Sequence, residues 1–268
     1  RITVNDHVGL PTSDRDAYTF TTDSVGRLLQ FAIRNENGEA DAKLDGDVKV
    51  VLYDNQNNVL KTVESTNQDP SSTYAFHNLE PNTQYKIRVD ALSGQLEDAT
   101  NYQLVLNLLE QTSNSTIEAF FQWAKAQTSK ITRLDRSDLK GECVTLIARY
   151  IQEVFLPESE RTKQRAFGNG HATASVVASN FPQYFDSYTT TSGLSSNPPK
   201  PGAIISFGKH APKFDGDYGH VGIVTSYNPS TKEVKYIDIG NGLSDGIVAG
   251  ERSIFATDYR INGWTNPK

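Results

Sequence analysis

Through the first part of the chain, apolar and polar residues alternate over short runs. DAYTFTT at 16–22 sets Tyr18 and Phe20 on one side. RLLQFAI (27–33), VKVVLY (48–53), YKIRV (85–89) and the run 102–106 are of the same kind. Asp54-Asn55-Gln56-Asn57-Asn58 forms a polar turn before Val59-Leu60-Lys61-Thr62-Val63 returns. Period-two runs punctuated by Asn, Asp, Gly and Pro predict short strands, and hence an all-β sandwich or barrel.

The period changes near residue 112. A small, polar stretch at 111–116 reads as a linker that runs into a helix N-cap. Ile117, Phe120, Phe121 and Ala124 then follow helical spacing. After Gly141 a second helix is predicted, because Val144, Ile147, Ala148, Ile151, Val154 and Phe155 fall on one stripe. Pro157 ends it. Strands follow at Ala203–Phe207, His220–Ser226 and Val234–Ile239, the last two joined by a hairpin-type turn. The expected fold is therefore an N-terminal all-β sandwich over 1–110, a linker at 111–116, and a C-terminal α+β domain over 117–268. In that second domain helices come first and pack on an antiparallel sheet.

Composition narrows the function. The 268 residues carry 26 basic and 32 acidic side chains, a net charge of -6. That balance argues against a nucleic-acid partner. No apolar stretch is long enough to span a membrane, so no membrane insertion is expected. The chain begins at Arg1 and contains no Met, which fits a leader already cut away or a trimmed end. A single cysteine rules out any disulfide within the chain.

That cysteine, Cys143, falls at the start of the second helix and beside its apolar stripe. A lone cysteine is commonly a small buried hydrophobe. At a helix N-terminus the unpaired N–H groups and the dipole are expected to lower its pKa and favour the nucleophilic thiolate. A base must come from His7, His77, His171, His210 or His220. Two compete: His171 in the loop GNGHA, and His220, which opens an apolar strand between Gly219 and Gly222. An acidic residue in an apolar strand needs a partner. If the strands at 220–226 and 234–239 pair, Asp238 or Asn241 lies near His220 and orients its ring.

These segments together resemble the CHAP family, the cysteine, histidine-dependent amidohydrolases/peptidases. Gly141-Glu142-Cys143 is similar to the family's G-Q-C, and Gly168-Asn169 with Ala172 resembles its G-N-A. Pro199-Lys200-Pro201-Gly202-Ala203-Ile204 resembles P-x-x-G-A-I, Tyr218–Val224 resembles Y-G-H-V-A-x-V, and Arg252-Ser253-Ile254 resembles a late R-x-I. The resemblance covers about 116–264. It implies a papain-like fold and a catalytic site of Cys143, His220, Asp238 and Asn241, with His220 preferred to His171. Two departures stand out: Glu142 replaces Gln, and the Asn of E-x-N is displaced to 241, with Gly240 before it.

The first domain resembles the bacterial pre-peptidase C-terminal (PPC) domain through SDRDAYTF (13–20), GRL (26–28), VLYD (51–54) and LEPNTQYKIRV (79–89). This resemblance implies an accessory β-sandwich beside a secreted hydrolase. Some such domains bind calcium, and Asp14, Asp16, Asp45 and Asp47 could supply oxygens for it; catalysis itself requires no cofactor. Taken together, the two resemblances imply a secreted, monomeric peptidoglycan hydrolase of the cell envelope. It would cut either the muramoyl–L-alanine amide or a bond of the stem or cross-bridge. The alternatives are an adhesion or binding protein with a weak or inactive cysteine domain, and an antibacterial toxin with the same chemistry.

Overall fold

The computed structural model describes residues 2–9, 15–38, 44–65, 74–92, 99–110, 115–125, 127, 130–136, 138–209, 217–240 and 251–268. The chain divides into two compact units, Arg1–Ala119 and Phe120–Lys268.

The first unit is β-rich. Its strands are β1 (Ile2–Val8), β2 (Arg15–Thr21), β3 (Arg27–Arg34), β4 (Val48–Tyr53), β5 (Val59–Ser65), β6 (Tyr74–Leu79), β7 (Gln84–Ala91) and β8 (Thr100–Glu110). They form two four-stranded sheets, ordered β1-β8-β3-β6 and β2-β7-β4-β5, with antiparallel pairing throughout. One core draws on both sheets: Leu29, Phe31 and Ile33 from β3 meet Val50 and Leu52 from β4 and Ile87 and Val89 from β7. This is an arrangement consistent with a β-sandwich. Tyr18 on β2 and Tyr102 on β8 link the sheets through phenol oxygens 2.8 Å apart. Their hydroxyls donate to Asp6 and Asp16 respectively, each at 2.7 Å. Burial is the largest cause that raises both tyrosine pKa values; Asp6 and Asp16 add to it at Tyr18, where the Tyr102 hydroxyl opposes it, and Tyr18 and Asp16 add to it at Tyr102.

Neither β1 nor β6 was expected from the pattern. Six of the seven β1 residues are at least partly exposed. It is an edge strand in the sequence ITVNDHV, so the alternation that marks a half-buried strand is missing.

Helix α1 (Ser115–Lys125) opens the chain's helical part. In the second unit follow α2 (Cys143–Val154), α3 (Glu158–Arg161) and α4 (Thr173–Asn180). Then come β9 (Ile204–Phe207), β10 (His220–Asn228), β11 (Glu233–Ile237), β12 (Arg252–Phe255) and β13 (Ile261–Thr265), in one antiparallel sheet ordered β12-β11-β10-β9-β13. Helix α2 packs on β10, and α4 on β9 and β13. Of the apolar stripe predicted for α2, Ile147, Ala148 and Ile151 are fully enclosed, while Val144, Val154 and Phe155 are half-buried.

Charge is buried with that stripe. Glu153 is 5% exposed and bonds Arg149 Nε at 3.0 Å and Arg161 Nη2 at 2.5 Å. Arg149 donates on to the Thr132 carbonyl, and Gln152 joins Asp135 (2.6 Å) to the Leu134 amide. The segment leading to the α2 N-terminus is therefore tied to the helix itself.

Candidate active site

The second unit contains a cavity of about 650 Å³ whose lining includes Glu142, Cys143, Asn169, Tyr218 and His220. Helix α2 begins at Cys143, with Glu142 at its N-cap, and the Thr145 amide donates to the Glu142 carbonyl at 2.8 Å. Val144 and Val221 donate backbone N–H groups to the sulfur. Val221 is the residue after His220, so β10 brings the imidazole and the thiol to one wall.

His220 opens β10 opposite Phe207 on β9 and is 4% exposed. Its Nε2 lies 2.8 Å from Asp238 Oδ2. With Nε2 bearing the proton toward the carboxylate, Nδ1 is left as the acceptor. Asp238 is completely buried. It lies one residue past β11 rather than inside a strand, because the ladder ends at Ile237 paired with Ile223. Tyr236 pairs with Arg252 on β12. Arg252 Nε thereby comes 2.8 Å from Asp238 Oδ1, at ion-pair distance but without hydrogen-bond alignment.

The thiol departs from its expected state. Burial is the largest influence and, with the charges of Glu142 and Asp238, pushes the Cys143 pKa up to about 11, although the two backbone N–H groups pull it down. The helix start does supply donors, as its position predicts, but desolvation of the anion outweighs them. The resting group is a neutral thiol.

Two glycines allow these approaches. A Cβ on Gly170 would fall 2.7–2.8 Å from the His220 backbone. Gly240, with φ +80°, would place a Cβ 3.2 Å from the Cys143 nitrogen. Only a residue without a side chain fits either place without displacement.

The other candidates lie elsewhere. His171 sits on the Tyr218 carbonyl through both its amide (3.0 Å) and its ring Nδ1 (3.1 Å), while its own carbonyl accepts from Asn262. His7 and His77 belong to β1 and β6 of the other unit. His210, Asn241 and Asp14 fall outside the described residues. Asp16 accepts from Tyr102, while the Asp45 amide donates to Thr100 and the Asp47 carbonyl accepts from Leu92. Among the described residues, no three His, Cys, Asp or Glu side chains stand close enough to hold a metal. Nor is any described helix long and apolar enough to cross a membrane.

Sequence reasoning assigned no role to Arg252, Gly170 or the Val221 amide. Arg252 was visible in its R-x-I setting, but its contact with Asp238 depends on the β11–β12 register.

No curated protein matches the chain. Among solved structures, the CBM36-1 domain of a multidomain xylanase from the hindgut metagenome of Trinervitermes trinervoides is 14% identical. That alignment covers 40% of this chain and 86% of that one, with a TM-score of 0.21. A Paenibacillus sp. cycloisomaltooligosaccharide glucanotransferase, complexed with cycloisomaltoheptaose, is 10% identical with a TM-score of 0.24. That alignment covers 96% of this chain but 39% of the other, and neither likeness is close enough to carry an argument. The family model of the CHAP domain matches residues 134–240, the segment that contains Cys143, His220 and Asp238.

Proposed function

We propose that the protein is a secreted peptidoglycan hydrolase that cleaves an amide through Cys143, His220 and Asp238, on a papain-like fold. The observation that carries this reading is the 2.8 Å contact between His220 Nε2 and Asp238 Oδ2 on the wall of the cavity that also exposes Cys143. The match of residues 134–240 to the CHAP domain supplies the substrate class.

The chemistry starts from a neutral pair. His220 Nδ1 takes the thiol proton as sulfur attacks the amide carbonyl. Negative charge develops on the carbonyl oxygen, where the Cys143 amide at the helix start can donate. The imidazolium, held by Asp238, protonates the leaving nitrogen, and the C–N bond breaks to leave a thioester. Water, deprotonated by His220, then releases the carboxylic acid and restores the thiol. Asn241 stands as a further orienting residue. The N-terminal unit acts as an accessory domain of PPC type, with calcium as a ligand it can be tested for.

The decisive experiment digests purified cell walls with wild type and Cys143→Ala and identifies released muropeptides by mass spectrometry. Soluble fragments from wild type alone support the reading, and their new ends identify the bond. Equal release by both proteins refutes the nucleophile assignment.

A second reading is a wall-binding protein whose cysteine domain is catalytically slow. The thiol pKa of about 11 favours it. Wall pelleting without fragment release by wild type would select it.

A further inference from the structure

Glu142 occupies the N-cap of α2, where a side chain ordinarily accepts a hydrogen bond from the first turn. It makes no such bond. Instead the residue is exposed and lines the cavity beside Cys143. Its carboxylate has no hydrogen bond or ion pair among the described residues. The other ionisable side chains of the described lining, apart from Cys143 and Tyr218, are Arg133 and His220. Arg133 is held by Asp135 at 2.9 and 2.5 Å and by the Arg165 carbonyl at 2.7 Å. His220 is held by Asp238. The uncompensated charge of this wall is thus one carboxylate, next to the nucleophile.

A substrate covering that carboxylate removes its water. The cost is offset only if the substrate brings a cation and hydrogen-bond donors. We propose that Glu142 binds a protonated primary amine of the substrate close to the scissile amide, the group that an un-cross-linked diamino acid or a free cross-bridge terminus presents. This rests on the reading of the cavity as the amide-cleaving site and deepens it by naming a substrate feature. Pairing has a second effect. Glu142 is one of the charges that disfavour the Cys143 thiolate, so an ammonium seated on it relieves that repulsion as the substrate docks. The nucleophile is then more acidic in the complex than at rest.

Because Cys143 is the chain's sole cysteine, its charge environment can be read directly. The full chain is treated with a cationic aminoethyl methanethiosulfonate and with its anionic sulfonatoethyl counterpart. Rates are normalised to those of a small free thiol. For wild type the cationic reagent is favoured about tenfold, the scale expected of one nearby charge in a partly solvated cleft. Glu142→Gln abolishes the preference and Glu142→Asp retains most of it. Equal ratios in wild type and Glu142→Gln overturn the proposal.

A second arm compares wall peptides with free and with acetylated amines. Wild type should favour the free amine at least about tenfold in kcat/KM, and Glu142→Gln should not. Hydrolysis of both at equal rates overturns the amine proposal while leaving the proposed hydrolysis standing. If the reagent ratios shift as stated but neither peptide is cut, the proposed hydrolysis fails and the amine-binding carboxylate survives.

Discussion

Arg252 Nε lies 2.8 Å from Asp238 Oδ1, the carboxylate oxygen that His220 does not use. A fully buried carboxylate is thus held on both sides, by an imidazole from β10 and a guanidinium from β12. Replacing Arg252 by Leu should lower kcat about five- to tenfold with little change in KM, the rate equivalent of ~1 kcal/mol for a partly exposed ion pair. Arg252→Lys should recover part of the loss. Steady-state kinetics on a soluble wall peptide checks both.

Asp238→Asn keeps the shape and removes the charge. The Asn nitrogen must face either His220 or Arg252, and both present donors. The ring is then held in the wrong tautomer or left loose, and kcat should fall by roughly 10²–10⁴, as it does for other oriented histidines. The thermal midpoint, measured in parallel, should move far less than the rate.

Cys143 should report its own ionisation. With a pKa of about 11, only about one thiol in 10⁴ is ionised at pH 7. Alkylation by iodoacetamide should therefore be slow at neutral pH, rise about tenfold per pH unit, and level off only near 11. Removing the Glu142 charge lowers the pKa, so Glu142→Gln should alkylate faster at pH 8. Mass spectrometry of the intact chain over time measures it.

Much of this site is legible in the sequence, and the limits of that legibility are physical. The α2 stripe is local, so Val144, Ile147, Ala148 and Ile151 declare the helix and place Cys143 at its start. The β10–β11 hairpin is nearly local, and its register carries Asp238 to His220. A helix start is visible in sequence, whereas burial of the thiol is a tertiary fact, and it is burial that raises the Cys143 pKa. Gly170 was equally silent: its neighbour His220 lies fifty positions away, and only the built fold shows that a Cβ there meets backbone. Strands β1 and β6 escaped notice because β1 is an exposed edge and β6, YAFHNL, does not alternate.

Gly170→Ala should disturb His220 by contact alone. Its Cβ would press to 2.7–2.8 Å on the His220 backbone, which cannot rotate away as a side chain would. An overpacking cost of roughly 1–3 kcal/mol is expected, with a loss of kcat beyond what the lower stability explains. Urea unfolding and initial rates separate the two effects.

Glu153→Ala tests the buried charges of helix α2. It removes the carboxylate shared by Arg149 and Arg161, which are 1% and 4% exposed, and leaves Arg161 its pair with the more exposed Glu158. Breaking one side of a buried ionic cluster costs about 3–5 kcal/mol. Replacement by Gln, which can still accept a hydrogen bond, should cost less, as chemical denaturation would read.

The solitary, half-buried cysteine also determines how the site meets oxidants. Peroxide attacks thiolates, and a thiol kept protonated by its surroundings reacts slowly. Once oxidised to a sulfenic acid, Cys143 has no second thiol in this chain to capture it as a disulfide. Recovery must come from an outside reductant, or the sulfur proceeds to the sulfinic state and the loss is permanent. Keeping the resting sulfur protonated therefore protects against damage that the chain cannot reverse unaided.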